Sequence, residues 1–167
     1  MSTTDSEQPS SPIDVKTFWS AIAAKPSAVA VVTAADANGP AGFMALSVAH
    51  LSADPPIVTV SIDGRTSALA TVRSAGHFAV NYLVRTDEAL ANDFSGRTER
   101  QGADRFEPTR WTTLATGAPI LADSICAFDC RLEEMIERNG SVLALGRLVD
   151  VRTGEGDPLL FFRNGYR

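Results

Sequence analysis

Cysteine and histidine are scarce in this chain, whose 167 residues include only two of each. Cys126 and Cys130 lie four residues apart in "CAFDC", and on a β-strand this spacing places them roughly 13 Å apart on one face, beyond disulfide reach. On a helix the same spacing could hold a metal ion, but His50 and His77 are far away in the sequence. The pattern therefore predicts two buried free thiols and no metal site.

Long apolar runs and clusters of like charge are also missing. The longest nearly unbroken apolar run, residues 28–35, is far shorter than the roughly 20 residues that cross a bilayer. The net charge is −5, from 15 basic and 20 acidic residues that form no block of one sign. This distribution favours neither nucleic acid nor a membrane as a partner, and a small ligand is more plausible.

The first residues differ in composition from the rest of the chain. Residues 1–12, "MSTTDSEQPSSP", are rich in Ser, Thr and Pro and are predicted to be a disordered tail. They have neither a basic n-region nor an apolar h-region, so no signal peptide is predicted and cytoplasmic residence is the expectation. The chain has 44% hydrophobic residues, which is enough for a hydrophobic core. One domain is therefore predicted, over residues 13–167.

Three short helices are predicted from capping signals. The first covers residues 13–24, with Ser11 as its N-cap and apolar residues at helical spacing. The second follows "GRTS", with Thr66 or Ser67 as its cap, and the third follows Thr86. Residues 97–119 show no clear periodicity, and we expect a functional or dimer-facing loop there.

Strand-like segments make up most of the remaining sequence. Asn38-Gly39 predicts one hairpin, and Asn139-Gly140 predicts a longer one between two antiparallel strands within residues 124–150. Five to seven such strands with few helices predict a mainly β fold, an antiparallel barrel that is closed or nearly closed. The sequence contains no G-x-G-x-x-G or P-loop motif, so a nucleotide would have to be bound by other means.

The segment 42–63, "GFMALSVAHLSADPPIVTVSID", combines small residues with a stiff corner. If its first half is one continuous strand, Ala45, Ser47 and Ala49 lie on one thin face. A thin face admits either a flat ligand or the close packing of another backbone. Thr66 and Ser67 follow at a predicted helix start, where hydroxyls and free amides either cap the helix or bind an anion.

Several motifs in this order resemble the short-chain flavin reductases. The most specific are "SADPPIV" (52–58), "AGHFAVNYL" (75–83) and "PLLFFRNGY" (158–166). These proteins have an FMN-binding split-barrel fold and serve as reductase components of two-component flavin-dependent monooxygenases. The resemblance thus implies an antiparallel split β-barrel with a few short helices, in a single flavin reductase-like domain over residues 13–167.

The resemblance also implies which residues contact the flavin. The Gly42 strand would lie beside the isoalloxazine, Thr66 would hold the phosphate with Arg65 and Ser67 as neighbours, and Arg105 would reach a flavin across a dimer interface. Relatives often carry Arg and Thr at the positions of Ser67 and Ala68, which implies a different arrangement around the phosphate. The implied flavin-binding residues are Ala45, Leu46, Ser47, Val48, Ala49, Ser52, Arg65, Thr66, Ser67, Phe94 and Arg105.

The implied nicotinamide pocket contains Ser141, Phe162, Arg163 and Tyr166. Relatives commonly carry a His where this chain has Ser141. Two interpretations stay open: Asn139-Gly140 makes a tighter turn, or a hydroxyl replaces the imidazole and changes NAD(P)H affinity. The aromatic residues at the C-terminus would suit core packing equally well.

The function implied by the resemblance is reduction of FMN or FAD by NADH or NADPH. The protein would be a homodimer that supplies reduced flavin to a partner monooxygenase. Because hydride passes directly from nicotinamide to flavin, no catalytic side chain is predicted. A flavin-binding redox or interaction protein without efficient turnover is the alternative, and the residue pattern alone also allows a plain small-molecule-binding barrel.

Overall fold

The computed structural model describes residues 12–167. Most of the predicted tail, and the predicted cap Ser11, lie outside the described residues. The helices are α1 (Val15–Ala23), α2 (Ala68–Ala75) and α3 (Glu88–Phe94), with short 3-10 turns at Arg85–Asp87 and Gly102–Arg105. The strands are β1 (Ser27–Ala28), β2 (Ala30–Asp36), β3 (Gly39–Ala45), β4 (Val48–Ala53), β5 (Pro56–Asp63), β6 (His77–Tyr82), β7 (Trp111–Thr113), β8 (Pro119–Leu121), β9 (Cys126–Arg138), β10 (Ser141–Thr153), β11 (Leu160–Phe162) and β12 (Gly165–Tyr166).

Seven strands form one antiparallel sheet in the order β3-β2-β6-β9-β10-β5-β4. Its two edge strands, β3 and β4, are joined by only Leu46 and Ser47, so the two edges lie close together. The sheet therefore rolls into a split barrel, as the resemblance implied. Among the described residues it is not closed by hydrogen bonds, because β3 pairs only with β2 and β4 only with β5.

The core confirms that the sheet is rolled. Val32 of β2 and Val60 of β5 share one buried cluster, although three strands separate β2 from β5 in the sheet. On β2 the side chains alternate, so that Val32 points into this inner cluster while Val31 joins a second cluster with Leu90 and Phe94 of α3. Helix α3 thus covers the outer face of the barrel and ends beside β3.

The hairpins form nearly where the sequence predicts them. Asn139 (φ 49°) and Gly140 (φ 79°) both have positive φ, as a type I′ turn requires, and they join two 13-residue strands. In the β2–β3 hairpin, Asp36 pairs with Gly39, so the turn is Ala37-Asn38, one residue earlier than predicted.

Two predicted helix starts are wrong. Helix α1 is capped by Asp14, whose carboxylate accepts a hydrogen bond from the Thr17 amide at 2.7 Å. The cap is therefore a carboxylate three residues beyond the predicted Ser11. Thr86 lies within a 3-10 turn and caps nothing, because α3 begins only at Glu88.

Three expectations about thiols, membrane spans and metal sites can be compared with the structure of residues 12–167. Cys126 and Cys130 both lie on β9 as free thiols, Cys130 buried and Cys126 half-buried. Over the same residues, no helix is long and apolar enough to span a bilayer, and no cluster of three metal-ligating side chains occurs.

Candidate functional site

A groove of about 850 Å³ opens where the two edges of the sheet meet. This volume falls within the range of about 300–1,000 Å³ that is typical of small-molecule sites. Its wall is formed by α1, by β3 with the two residues that follow it, by the end of β5, by the start of α2 and by the end of α3. The lining is mostly apolar along β3 and α1, and polar near α2.

The β3–β4 connection forms the centre of the groove. The prediction of one continuous thin-faced strand is wrong here, because the strand ends at Ala45 and a new one begins at Val48. The chain has to cross from one edge of the sheet to the other, so Leu46 and Ser47 belong to neither ladder. The Ser47 hydroxyl donates to the Ser61 carbonyl at 3.2 Å and so ties the connection to β5, the neighbour of β4.

Gly42 lets an aromatic ring approach β3 at the far end of the groove. A Cβ atom on Gly42 would lie 2.9 Å from the Phe94 ring and 2.8 Å from the Val32 carbonyl oxygen. Phe94 is in turn held by Phe106 and Trp111, with ring centroids at 5.2 and 5.8 Å. These aromatic neighbours place Phe94 firmly at the groove wall.

Thr66 and Ser67 line the polar part of the groove, and their hydroxyls donate no hydrogen bond within residues 12–167. The Ser67 side chain makes no capping hydrogen bond to α2, although Ser67 occupies the N-cap position. Thr66 uses its backbone instead: its amide donates to the Asp63 carbonyl at 2.9 Å, and its carbonyl accepts from the Leu69 amide at 3.0 Å. Two hydroxyls at a helix N-terminus suit an anionic group.

Arg105 adds a cation to the same groove from within one chain. Its guanidinium lies 5.8 Å from the centre of the Phe94 ring, and its Nε donates to the Arg100 carbonyl at 3.0 Å. No carboxylate in residues 12–167 forms an ion pair with it. The remaining guanidinium donors are therefore available to a ligand.

Arg65, by contrast, does not line the groove. Its side chain is 92% exposed and is paired with Asp63 at 2.8 Å. The hydrogen bonds from Arg65 lower the pKa of the Asp63 carboxyl to about 2, so Asp63 is ionised at neutral pH. Asp63 itself lines the groove, where it pairs across the sheet with Ser141, the first residue of β10.

Not all of the implied flavin residues come together. Ala45, Leu46, Ser47, Thr66, Ser67, Phe94 and Arg105 line the groove. Val48 packs against the inner core cluster instead, and Ala49 is exposed on β4. The Ser52 hydroxyl donates to the Pro55 carbonyl and so stabilises the proline corner. Within a single chain these three residues belong to the fold and not to the groove lining.

The implied nicotinamide residues are divided in the same way. Ser141 lines the groove, whereas Phe162, Arg163 and Tyr166 do not. The Tyr166 ring packs on Phe161 at 5.5 Å, in the outer core cluster. Arg163 and Asn164 both have positive φ and form the β11–β12 turn.

The contribution of α1 to the site was not predicted from the sequence. Phe18, Trp19 and Ile22 of α1 line the groove, as does Lys25, which follows the helix. The spacing of the three apolar residues is the same as that of a helix packed on a core, and so the pattern does not distinguish the two cases.

The groove suits a flat, partly apolar ligand with an anionic tail. Apolar side chains and small residues line one part, and two hydroxyls, a helix N-terminus and a guanidinium lie together at another. The lining contains no nucleophile paired with a base, so the geometry favours binding and positioning a ligand over acid–base catalysis.

Comparisons with known proteins agree with this description. Residues 22–167 match the family model described as "Flavin reductase like domain". The chain is 34% identical over 151 residues to "FMN reductase (NADH) RutF" of Agrobacterium fabrum, an alignment that covers 90% of this chain and 86% of that protein. It is 32% identical to "Stachydrine N-demethylase reductase subunit Stc3" of Rhizobium meliloti, with 92% of this chain and 65% of that protein covered. A crystal structure of a putative flavin reductase from Haemophilus somnus superimposes with a TM-score of 0.88 at 28% identity, covering 93% of this chain and 99% of that one.

Proposed function

The chain belongs to the flavin reductase family, and from this premise we propose that it transfers hydride from NADH to FMN held in the groove. Membership makes it an NAD(P)H-dependent flavin reductase, while the choice of FMN and NADH is our proposal. The relative from Agrobacterium fabrum, named as an FMN reductase that uses NADH, supports this choice. The observation that carries the proposal is one groove that combines an apolar wall with the hydroxyls of Thr66 and Ser67.

The residues in the groove suit the parts of a flavin mononucleotide. We propose that the ring lies along Ala45, Leu46 and Ser47, and that the phosphate is bound by the start of α2. Arg105 is close enough to serve the same chain's flavin, so it need not reach across a dimer interface. The bound flavin would supply the hydride acceptor, and the protein would bind it, orient it and exclude water.

The nicotinamide would bind near Ser141. Ser141 is the cross-strand partner of Asp63, whose carboxylate is ionised, so a negative charge lies on the neighbouring strand. Phe162, Arg163 and Tyr166 line no part of the groove in one chain, and they would contribute only from a second copy. We propose that the protein is a homodimer, and large apolar side chains that stay exposed in one chain support this: Leu51, Leu143, Val149 and Val151.

We also propose that reduced flavin passes to a separate monooxygenase. A relative at 32% identity is named as the reductase subunit of a demethylase, which supports a role as one component of two. Reduction of FAD instead of FMN is the alternative, and an assay with each flavin in turn distinguishes the two. We place the protein in the cytoplasm, where the free thiols Cys126 and Cys130 would persist.

The proposed function is tested by following NADH absorbance in the presence of the purified protein and excess flavin. We expect NADH to be oxidised with FMN, and more slowly when FAD or NADPH is substituted. A protein that binds flavin but oxidises neither nicotinamide would contradict the proposed function. Faster turnover with FAD than with FMN would contradict only the choice of flavin.

A further inference from the structure

Helix α1 is the one helix that contributes nothing to the core of the described chain. None of its nine residues is buried, whereas α2 buries two residues and α3 buries four. Phe18 is 49% exposed and Trp19 is 61% exposed. An apolar helix face that stays in water needs a partner, because exposed aromatic surface is unfavourable.

A backbone contact at the C-terminal end of α1 holds the helix beside the groove. The Arg163 amide, in the β11–β12 turn, donates to the Ala23 carbonyl at 2.7 Å. Phe18 and Trp19 pack edge-to-face, with ring centroids 5.1 Å apart. Both rings, together with Ile22, line the same groove as Ala45 and Ser47. The apolar face of α1 is therefore part of the groove wall.

We propose that the partner of this face is the flavin itself, and that Trp19 contacts the isoalloxazine ring while Phe18 fixes the indole. The inference rests on the proposed function and deepens it. A planar aromatic ligand favours contact with indole and phenyl rings. The family match begins at residue 22, so it assigns no role to Phe18 or Trp19.

The lack of buried residues in α1 has a consequence for binding. The helix can adjust its position around an entering ligand without disrupting either core cluster. The bound ring would supply the apolar surface that α1 lacks, and α1 would shield the ring from water. Amide hydrogen exchange within residues 15–23 should accordingly slow when FMN is added.

Three variants test the contact. We expect Trp19→Ala to raise the dissociation constant for FMN roughly tenfold, the scale of one aromatic stack, and to make the bound flavin more fluorescent because a quenching indole is lost. Trp19→Leu keeps apolar area without the ring and should fall between Trp19→Ala and the wild type. Val15→Ala is the matched control, because Val15 lies on α1, is 73% exposed and does not line the groove.

The outcomes separate this inference from the proposed function. If the wild type binds FMN and Trp19→Ala leaves both affinity and flavin fluorescence unchanged, the contact does not exist. If Trp19→Ala instead converts a dimer into monomers in light scattering, a second copy covers α1 and the inference is overturned. If the wild type fails to bind any flavin, both the proposed function and this inference are wrong.

Discussion

At the residue scale, the groove depends on side chains that do not serve the fold. Thr66 and Ser67 precede α2 like ordinary caps, and the sequence leaves capping and anion binding equally open. The structure separates the two, because neither residue uses its hydroxyl to cap the helix. A helix cap and an anion site use the same residue types, so only the hydrogen bonds in the structure distinguish them.

We therefore expect Thr66→Ala to weaken FMN binding without weakening the fold. Loss of a hydrogen bond to a charged phosphate costs about 1.5–3 kcal/mol, which corresponds to a dissociation constant raised roughly tenfold or more. The measurement is a flavin titration beside a thermal unfolding curve. Thr112→Ala, at an exposed position on β7, is the control and should bind FMN like the wild type. An unchanged titration for Thr66→Ala would place the phosphate elsewhere.

The surroundings of Cys130 make its thiol harder to ionise. Burial, with a smaller contribution from the neighbouring charge of Asp129, raises the pKa of its thiol from 9.0 to about 12. The folded protein thus keeps the proton more tightly than the unfolded chain does. The contribution of the protonated Cys130 thiol to the free energy of unfolding is therefore fully present below pH 9 and is lost as the pH rises towards 12.

The expected result is a fall in the free energy of unfolding as the pH rises above 9. Cys130→Ala should show a shallower fall, because it has no thiol to ionise on unfolding. Denaturant unfolding at several alkaline pH values measures both slopes, with Cys126→Ala as the half-buried comparison. Parallel curves for Cys130→Ala and the wild type would mean that the thiol makes no contribution.

At the element scale, turns were predicted better than the strand that carries the site. Asn139-Gly140 has a local signature, since both residues must adopt positive φ. The end of β3 at Ala45 has no such signature. It depends on β3 and β4 pairing with different strands at opposite edges of the sheet, which is long-range information. Alternation along residues 43–51 therefore indicated a continuous face that the structure does not have.

The long hairpin gives a testable consequence of its turn. Asn139→Ala should lower the free energy of unfolding by about 1–2 kcal/mol, because alanine in the left-handed region is strained. Asn38→Ala is the matched control, since Asn38 also occupies a hairpin turn but does not have positive φ. Chemical denaturation of the two variants provides the comparison. Equal losses of stability would argue against backbone strain as the cause.

At the scale of the whole molecule, the family resemblance predicted the fold more specifically than hydrophobic periodicity and turn residues did. Periodicity and turn residues predicted an antiparallel β fold, and the ordered motifs narrowed this to a split barrel, which the rolled and unclosed sheet confirms. The pattern missed the part that α1 plays. An amphipathic helix has the same spacing whether it packs on a core or on a groove, and only its exposure in the folded chain shows the difference.

The proposed function depends on one ligand occupying one groove. A crystal structure of the protein grown with FMN tests this most directly. We predict that the ring will lie between α1 and the Ala45–Ser47 segment, with a phosphate oxygen within hydrogen-bond distance of the Thr66 Oγ1 and the Ser67 Oγ. A flavin bound on another surface, with this groove left to solvent, would contradict the account.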